Sequence, residues 1–120
     1  MGTHNDLKVF NLSYDLAKRI YLISRQFPKD EIFGLTSQIR RSSRSVCVNI
    51  VEAYRKKIYP NHFRSKISDA DAECSETLIW LRMANDFEFL DEQEFNELLK
   101  DYYEVGRMLG GMIRHPEKFL

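Results

Sequence analysis

The chain has 120 residues, 43% apolar and 30% charged, with 5 glycines, 3 prolines and a formal net charge of zero. That length supports one hydrophobic core, and the balance of apolar and charged residues excludes a disordered polar chain. The longest run of large apolar residues, Leu78 to Leu81, falls far short of the roughly 20 that a membrane span needs.

The first predicted helix covers about 6–27. Asn5 or Asp6 can cap it. Leu7, Phe10, Tyr14, Ala17, Ile20 or Tyr21, and Ile23 recur at steps of three and four as one apolar face. Pro28 ends it, because the residue before a proline disfavours α geometry. The second helix covers about 31–57. Its start lies between Asp30, a candidate cap, and Leu35, and Gly34 weakens the first turn. Leu35, Ile39, Val46, Ile50 and Ala53 share one face. Gln38, Ser42, Ser45, Asn49 and Glu52 make a second, small and polar stripe; Arg40, Arg44, Val48, Val51 and Arg55 make a third. Apolar Val48 and Val51 thus sit opposite the main core face. A helix with apolar residues on two sides is buried on two sides, and in a chain this small another subunit is the simplest cover.

The connector from Tyr54 to Lys66 holds Arg55, Lys56, Lys57, Arg64 and Lys66 with no acid, and Pro60 suits the first turn of the helix that follows. That third helix covers about 61–89. Phe63, Ile67, Ala70, Cys74, Thr77, Leu81 and Ala84 alternate steps of four and three, the seam of a bundle helix. The fourth covers about 92–115, opened by Asp91 with Glu94 three residues on, a capping-box pattern. Phe95, Leu98, Tyr102, Val105, Leu109 and Met112 form its core face, Gly106 and Gly110 would admit a close neighbour, and His115-Pro116 stops it. Short connections make antiparallel neighbours, so the pattern predicts an all-α domain, an antiparallel up-and-down four-helix bundle.

Chemistry-bearing patterns are missing. None of His4, His62 and His115 follows a glutamate by three residues, as di-metal bundle sites require. There is no phosphate-binding glycine loop, no zinc spacing, and nothing that places a Ser/His/Asp triad together. Cys47 and Cys74 form no Cys-x-x-Cys pair and sit at apolar helical positions, where a free cysteine is a core residue. The expectation is a protein that is no enzyme, with no cofactor, no metal and no small-molecule substrate. The N-terminus lacks a basic patch followed by an apolar stretch, and Asp6 stands where a myristoylation signal has Ser or Thr. A cytoplasmic protein with no membrane partner is expected.

Charge is segregated along the chain. Residues 1–67 hold 13 lysines and arginines against 5 acids, and residues 68–120 hold 5 against 13. A basic half can attract nucleic acid or pair with the acidic half, within one chain or between chains; overall neutrality favours pairing. Two basic segments stand out. Gln38 to Arg44 can contact phosphate through its guanidinium forks, or pair with the acids of the third helix. Val48 and Val51 on the stripe of Arg40 and Arg44 favour an oligomer interface there. Arg55, Lys56, Lys57, Tyr59, Arg64 and Lys66 at the second corner mix cations with an aromatic ring, as stacking plus phosphate contact requires. The plain alternative is a solvated corner whose cations favour a helix C-terminus.

The stretch from Phe27 to Arg41, followed by Ser45-Val46-Cys47-Val48-Asn49-Ile50-Val51-Glu52-Ala53 and by Glu76 to Leu81, resembles the signature of the bacterial 23S rRNA intervening sequence proteins. The likeness extends over nearly the whole chain. It departs at Ala53, where the family usually has glycine, and at Cys47, where it often has proline. The resemblance implies an antiparallel four-helix bundle that assembles into homopentamers. It also implies a relation to the accessory protein of diversity-generating retroelements, which binds nucleic acid. It brings no catalytic residue. Gln38, Arg40, Arg41, Asn49, Glu52 and Glu76 are family-typical and are read first as structural and assembly residues. The expected partners are other copies of the chain, with RNA or DNA as a second partner; a module with a purely protein partner is the alternative.

Overall fold

The computed structural model describes residue 4 and residues 7–120. Four helices follow in order: α1, Lys8–Ser24; α2, Leu35–Arg55; α3, Pro60–Asp86; and α4, Glu92–Arg114, with short 3-10 turns at Lys29–Glu31 and Pro116–Lys118. No strand occurs among the described residues. Contacts link α1 to α2, α2 to α3, α3 to α4 and α4 back to α1, so the chain closes an up-and-down four-helix bundle about 44 Å long. No helix is long and apolar enough to cross a membrane.

The core lines of α2, α3 and α4 lie where periodicity puts them. The predicted α3 seam from Phe63 to Ala84 is buried throughout. Leu35, Ile39, Val46, Ile50 and Ala53 of α2 are buried, as are Leu98, Tyr102, Val105, Leu109 and Met112 of α4. The α1 face requires a correction. Its buried line is Val9, Ser13, Leu16, Ile20 and Ile23, with Ser24, while Tyr14 and Tyr21 are exposed. Ile20 and Ile23 are buried as expected, but in the first turns the innermost line, Val9, Ser13 and Leu16, lies one residue before the expected Phe10, Tyr14 and Ala17, about 100° round the helix. Aliphatic side chains win the interior, and the tyrosines keep their hydroxyls in water. Ser13 and Ser24 go inside because each hydroxyl donates to a carbonyl three residues back, Phe10 at 2.9 Å and Tyr21 at 3.0 Å.

Helix ends follow local chemistry. The proposed caps Asn5 and Asp6 lie outside the described residues. Helix α2 begins at Leu35 and not at 31, because residues 29–31 turn as 3-10 and the Glu31 carboxylate accepts the Leu35 N–H at 3.0 Å. Gly34 makes room for this: a Cβ there would stand 2.6 Å from Glu31 Oε1. Helix α3 stops at Asp86, with Glu88 left-handed at φ 63° and the Phe89 N–H reaching back to Ala84. Asp91 Oδ1 accepts the Glu94 N–H at 2.8 Å and caps α4.

Helices α2 and α3 share the largest contact. Small residues permit it: buried Ser42 and Thr77 join hydroxyls across the seam at 2.8 Å. The two ends of the bundle are closed by aromatic contacts, Phe27 on Phe89 at one end and Tyr54 on Phe63 at the other. Their charges differ. The Phe27–Phe89 end carries Asp30, Glu31, Asp86, Glu88, Asp91 and Glu92 against Arg25 and Lys29. The Tyr54–Phe63 end carries Arg55, Lys56, Lys57, Arg64, Arg114 and Lys118, with Glu117 the acid on the last turn.

Candidate functional site

The basic end is built on the α2–α3 corner. The chain leaves α2 through a turn in which the Lys56 N–H bonds Ala53 and the Tyr59 N–H bonds Lys56, and Pro60 starts α3. Arg55, Lys56 and Arg64 are exposed and have no carboxylate within ion-pair distance among the described residues. Lys57 lies 4.6 Å over the Tyr54 ring, a cation–π contact that leaves its charge partly presented. Exposed Tyr59 stands beside His62 with ring centroids 5.7 Å apart. Lys66 is held differently: its Nζ is 3.3 Å from Glu52 and 4.0 Å from Asp69. It belongs to an ion-pair cluster on the bundle side more than to the open corner. A hollow of about 170 Å³ lined by Lys56, Asn61, His62, Ser65 and Lys66 lies over the first turn of α3, which has no acidic side chain and no side-chain cap.

The second surface runs along α1 and α2. Arg40 is half-buried, and its Nε donates to Ser24 Oγ at 2.7 Å. Its guanidinium lies 4.7 Å over the Tyr21 ring, with Arg25 at 5.6 Å and Arg44 at 6.0 Å from the same ring. Three guanidinium groups therefore crowd one tyrosine with no carboxylate within 4.0 Å of any of them among the described residues. Next to them an open groove of about 660 Å³ is lined by Tyr14, Ala17, Lys18, Tyr21, Leu22, Arg44, Cys47 and Val48. Leu22 is 56% exposed and Val48 52%, so this is apolar surface the bundle leaves uncovered. Val51 is half-buried further down α2 and does not line the groove. Sequence reading of α1 missed Tyr14, Tyr21, Leu22 and Arg25 as members of this surface. The signal was present, since Tyr14 and Tyr21 belong to the regular stripe that was read as core.

The thiols are poor candidates for chemistry. Burial pushes Cys74 up to about 12 and Cys47 also upward, so both stay protonated near neutral pH. No group of three or more His, Cys, Asp or Glu side chains is placed to hold a metal among the described residues.

The model of the family described as 23S rRNA-intervening sequence protein matches residues 5–111 of the chain. The chain belongs to that family. A solved structure from Bacteroides thetaiotaomicron, described as a protein with unknown function from the S23 ribosomal protein family, superposes with a TM-score of 0.80 at 26% identity. The superposition covers 88% of this chain and 97% of that one. No functionally curated protein matches.

The positions expected from the sequence to be family-typical fall into distinct settings. Gln38, Arg41 and Glu76 come together on the α2–α3 seam. Arg41 Nη1 is 2.7 Å from Glu73, Arg41 also pairs with Glu76, and Glu76 accepts the Trp80 indole N–H at 3.1 Å. Gln38 Oε1 faces the Arg41 Nε at 3.5 Å. The Trp80 bond and the Arg41 pair hold the Glu76 carboxyl below the usual range, and the two glutamates raise Arg41. Of the basic Gln38–Arg44 run, Arg41 therefore pairs with acids of α3, whereas Arg40 turns to α1. Asn49 donates to the Ser45 carbonyl at 2.9 Å and to its hydroxyl at 3.1 Å. Glu52 pairs with Lys66.

Proposed function

We propose that this family member is a non-enzymatic scaffold that assembles with copies of itself and binds RNA or DNA through the basic end of the bundle. The observation that supports the nucleic-acid part is the segregation of charge to opposite ends. Arg55, Lys56, Lys57 and Arg64 are concentrated beside an exposed Tyr59 at an end where the described residues place few acids. Cations track a phosphate backbone, and an exposed ring accepts an unstacked base. The support for self-assembly is the apolar α1–α2 groove, which a monomer would leave wet and which is edged by Arg44, without a carboxylate within ion-pair distance among the described residues. The oligomer we assign is the pentamer that the family resemblance implies. Cytoplasmic location and kinship with retroelement accessory proteins belong to the same proposal.

The test is light scattering with a short single-stranded RNA at low and moderate salt. The oligomer is expected to gain mass with RNA at low salt and lose it as salt rises. Arg55→Ala, Lys56→Ala and Arg64→Ala together are expected to weaken binding at least tenfold and to flatten the salt slope by about 0.7 per cation removed. An oligomer indifferent to RNA and DNA would turn the reading to a scaffold with a purely protein partner.

A further inference from the structure

Helix α3 has a second face that its own bundle does not use. Opposite the buried seam, Ser68, Ala72, Ser75, Ile79 and Met83 form an exposed line at steps of four, three, four and four. The outer face of a bundle helix is ordinarily charged and polar; this line carries no charge, and Ile79 and Met83 leave 45% and 38% of their surface open. Acids flank it. Between residues 69 and 88 stand six acids, with Arg82 the single cation. Two of the acids, Glu73 and Glu76, are taken by Arg41, but Asp71, Asp86 and Glu88 have no ion pair among the described residues.

The α1–α2 groove has the opposite character, with Leu22 and Val48 uncovered, Arg44 on its wall and Arg25 and Arg40 beside it around Tyr21, none of the three with a carboxylate within 4.0 Å among the described residues. The two surfaces are also matched in height. The Ser42–Thr77 bond and the Arg41–Glu73 pair set the middle of α2 level with Glu73–Thr77, and the Arg40–Ser24 bond sets it level with the end of α1. Leu22 and Arg40 therefore stand at the height of Ile79, Arg44 at that of Asp71–Ser75, and Arg25 near the end that carries Asp86.

We infer that the outer line of α3 in a second copy of the chain covers the α1–α2 groove. Ile79 packs against Leu22, the small residues Ser68 and Ala72 lie at the height of Val48, and Asp71 and Asp86 approach Arg44 and Arg25. This rests on the self-assembly reading above and adds the opposing surface. Copies standing side by side with parallel axes bring equal heights together, which is what the pairing requires. Because the two surfaces differ, the contact is heterologous and propagates round a ring.

Ile79→Lys changes an exposed side chain and is expected to lower the mass in light scattering to that of one 14.3 kDa chain, with helical circular dichroism retained. Leu22→Cys and Ile79→Cys chains, each also carrying Cys47→Ser to remove the native thiol of the groove, co-expressed and mildly oxidised, are expected to join unlike chain to unlike chain, while either variant alone does not cross-link. A wild-type oligomer that keeps its mass with Ile79→Lys, and in which the two cysteines do not join, would overturn this inference and leave self-assembly standing. A monomeric wild-type chain would overturn both.

Discussion

Tyr102 is fully buried and its hydroxyl faces Ser43 without meeting hydrogen-bond geometry, so it is a buried polar atom without a partner among the described residues. Burial pushes its ionisation well above the usual tyrosine range, and the group stays neutral. An unpaired buried hydroxyl costs about 1 kcal/mol or more. Tyr102→Phe is therefore expected to raise stability by about 1 kcal/mol, seen as a higher urea midpoint at unchanged slope. A lower midpoint would mean that the hydroxyl is paired in solution. Single residues were also where sequence reading was weakest. The arginines at 40, 41 and 44 look alike on paper, yet Arg41 crosses to Glu73 and Glu76, Arg40 lies on Tyr21 and Ser24, and Arg44 edges the open groove. A single residue of helical rotation separates these fates, and charge alone does not encode it.

At the scale of elements, the seams of α2, α3 and α4 were legible because their apolar residues repeat at steps of three and four on one face. In α1 the pattern places Ile20 and Ile23 inside but is about 100° out over the first turns, where two adjacent stripes are both apolar and which one turns inward is decided by what the neighbouring helices offer. The groove was half legible: the uncovered Val48 could be found from α2, but its facing wall on α1 was assigned to the core. The join of α2 and α3 has a pH dependence that follows from Glu76. Its carboxyl is held low in the folded state by Trp80 and Arg41. A lowered carboxyl contributes stability that is complete above the unfolded value, about pH 4.3, and is lost as pH falls through the folded value. Glu76→Gln is expected to destabilise the protein by about 1 kcal/mol at pH 7, since the pair is partly exposed, and to narrow the gap from wild type between pH 5 and acid. Thermal melts of both proteins across that range check the sign. A gap that widens in acid would sink the assignment.

Over the whole molecule, charge and apolar surface are arranged on different axes: charge from end to end, apolar surface on opposite flanks. The sequence revealed the charge asymmetry only as two halves of the chain, since which residues share an end is set by the antiparallel path. Salt is expected to separate the two interactions. RNA binding, mostly ionic, is expected to fall away by about 0.2 M salt, because a protein with several phosphate contacts loses orders of magnitude in affinity over that interval. Assembly, with the apolar side chains Leu22 and Ile79 at its centre, is expected to persist to higher salt. Light scattering during one salt titration reads both, and simultaneous loss would show that assembly too is chiefly ionic. The end-to-end placement of charge has a further consequence once copies stand in parallel. Every Arg55–Arg64 corner then points the same way and the ring gains a single basic rim. A strand held weakly at one corner meets the next at high effective concentration, and avidity, rather than any one corner's strength, decides how firmly a long strand is held and how short a strand is let go.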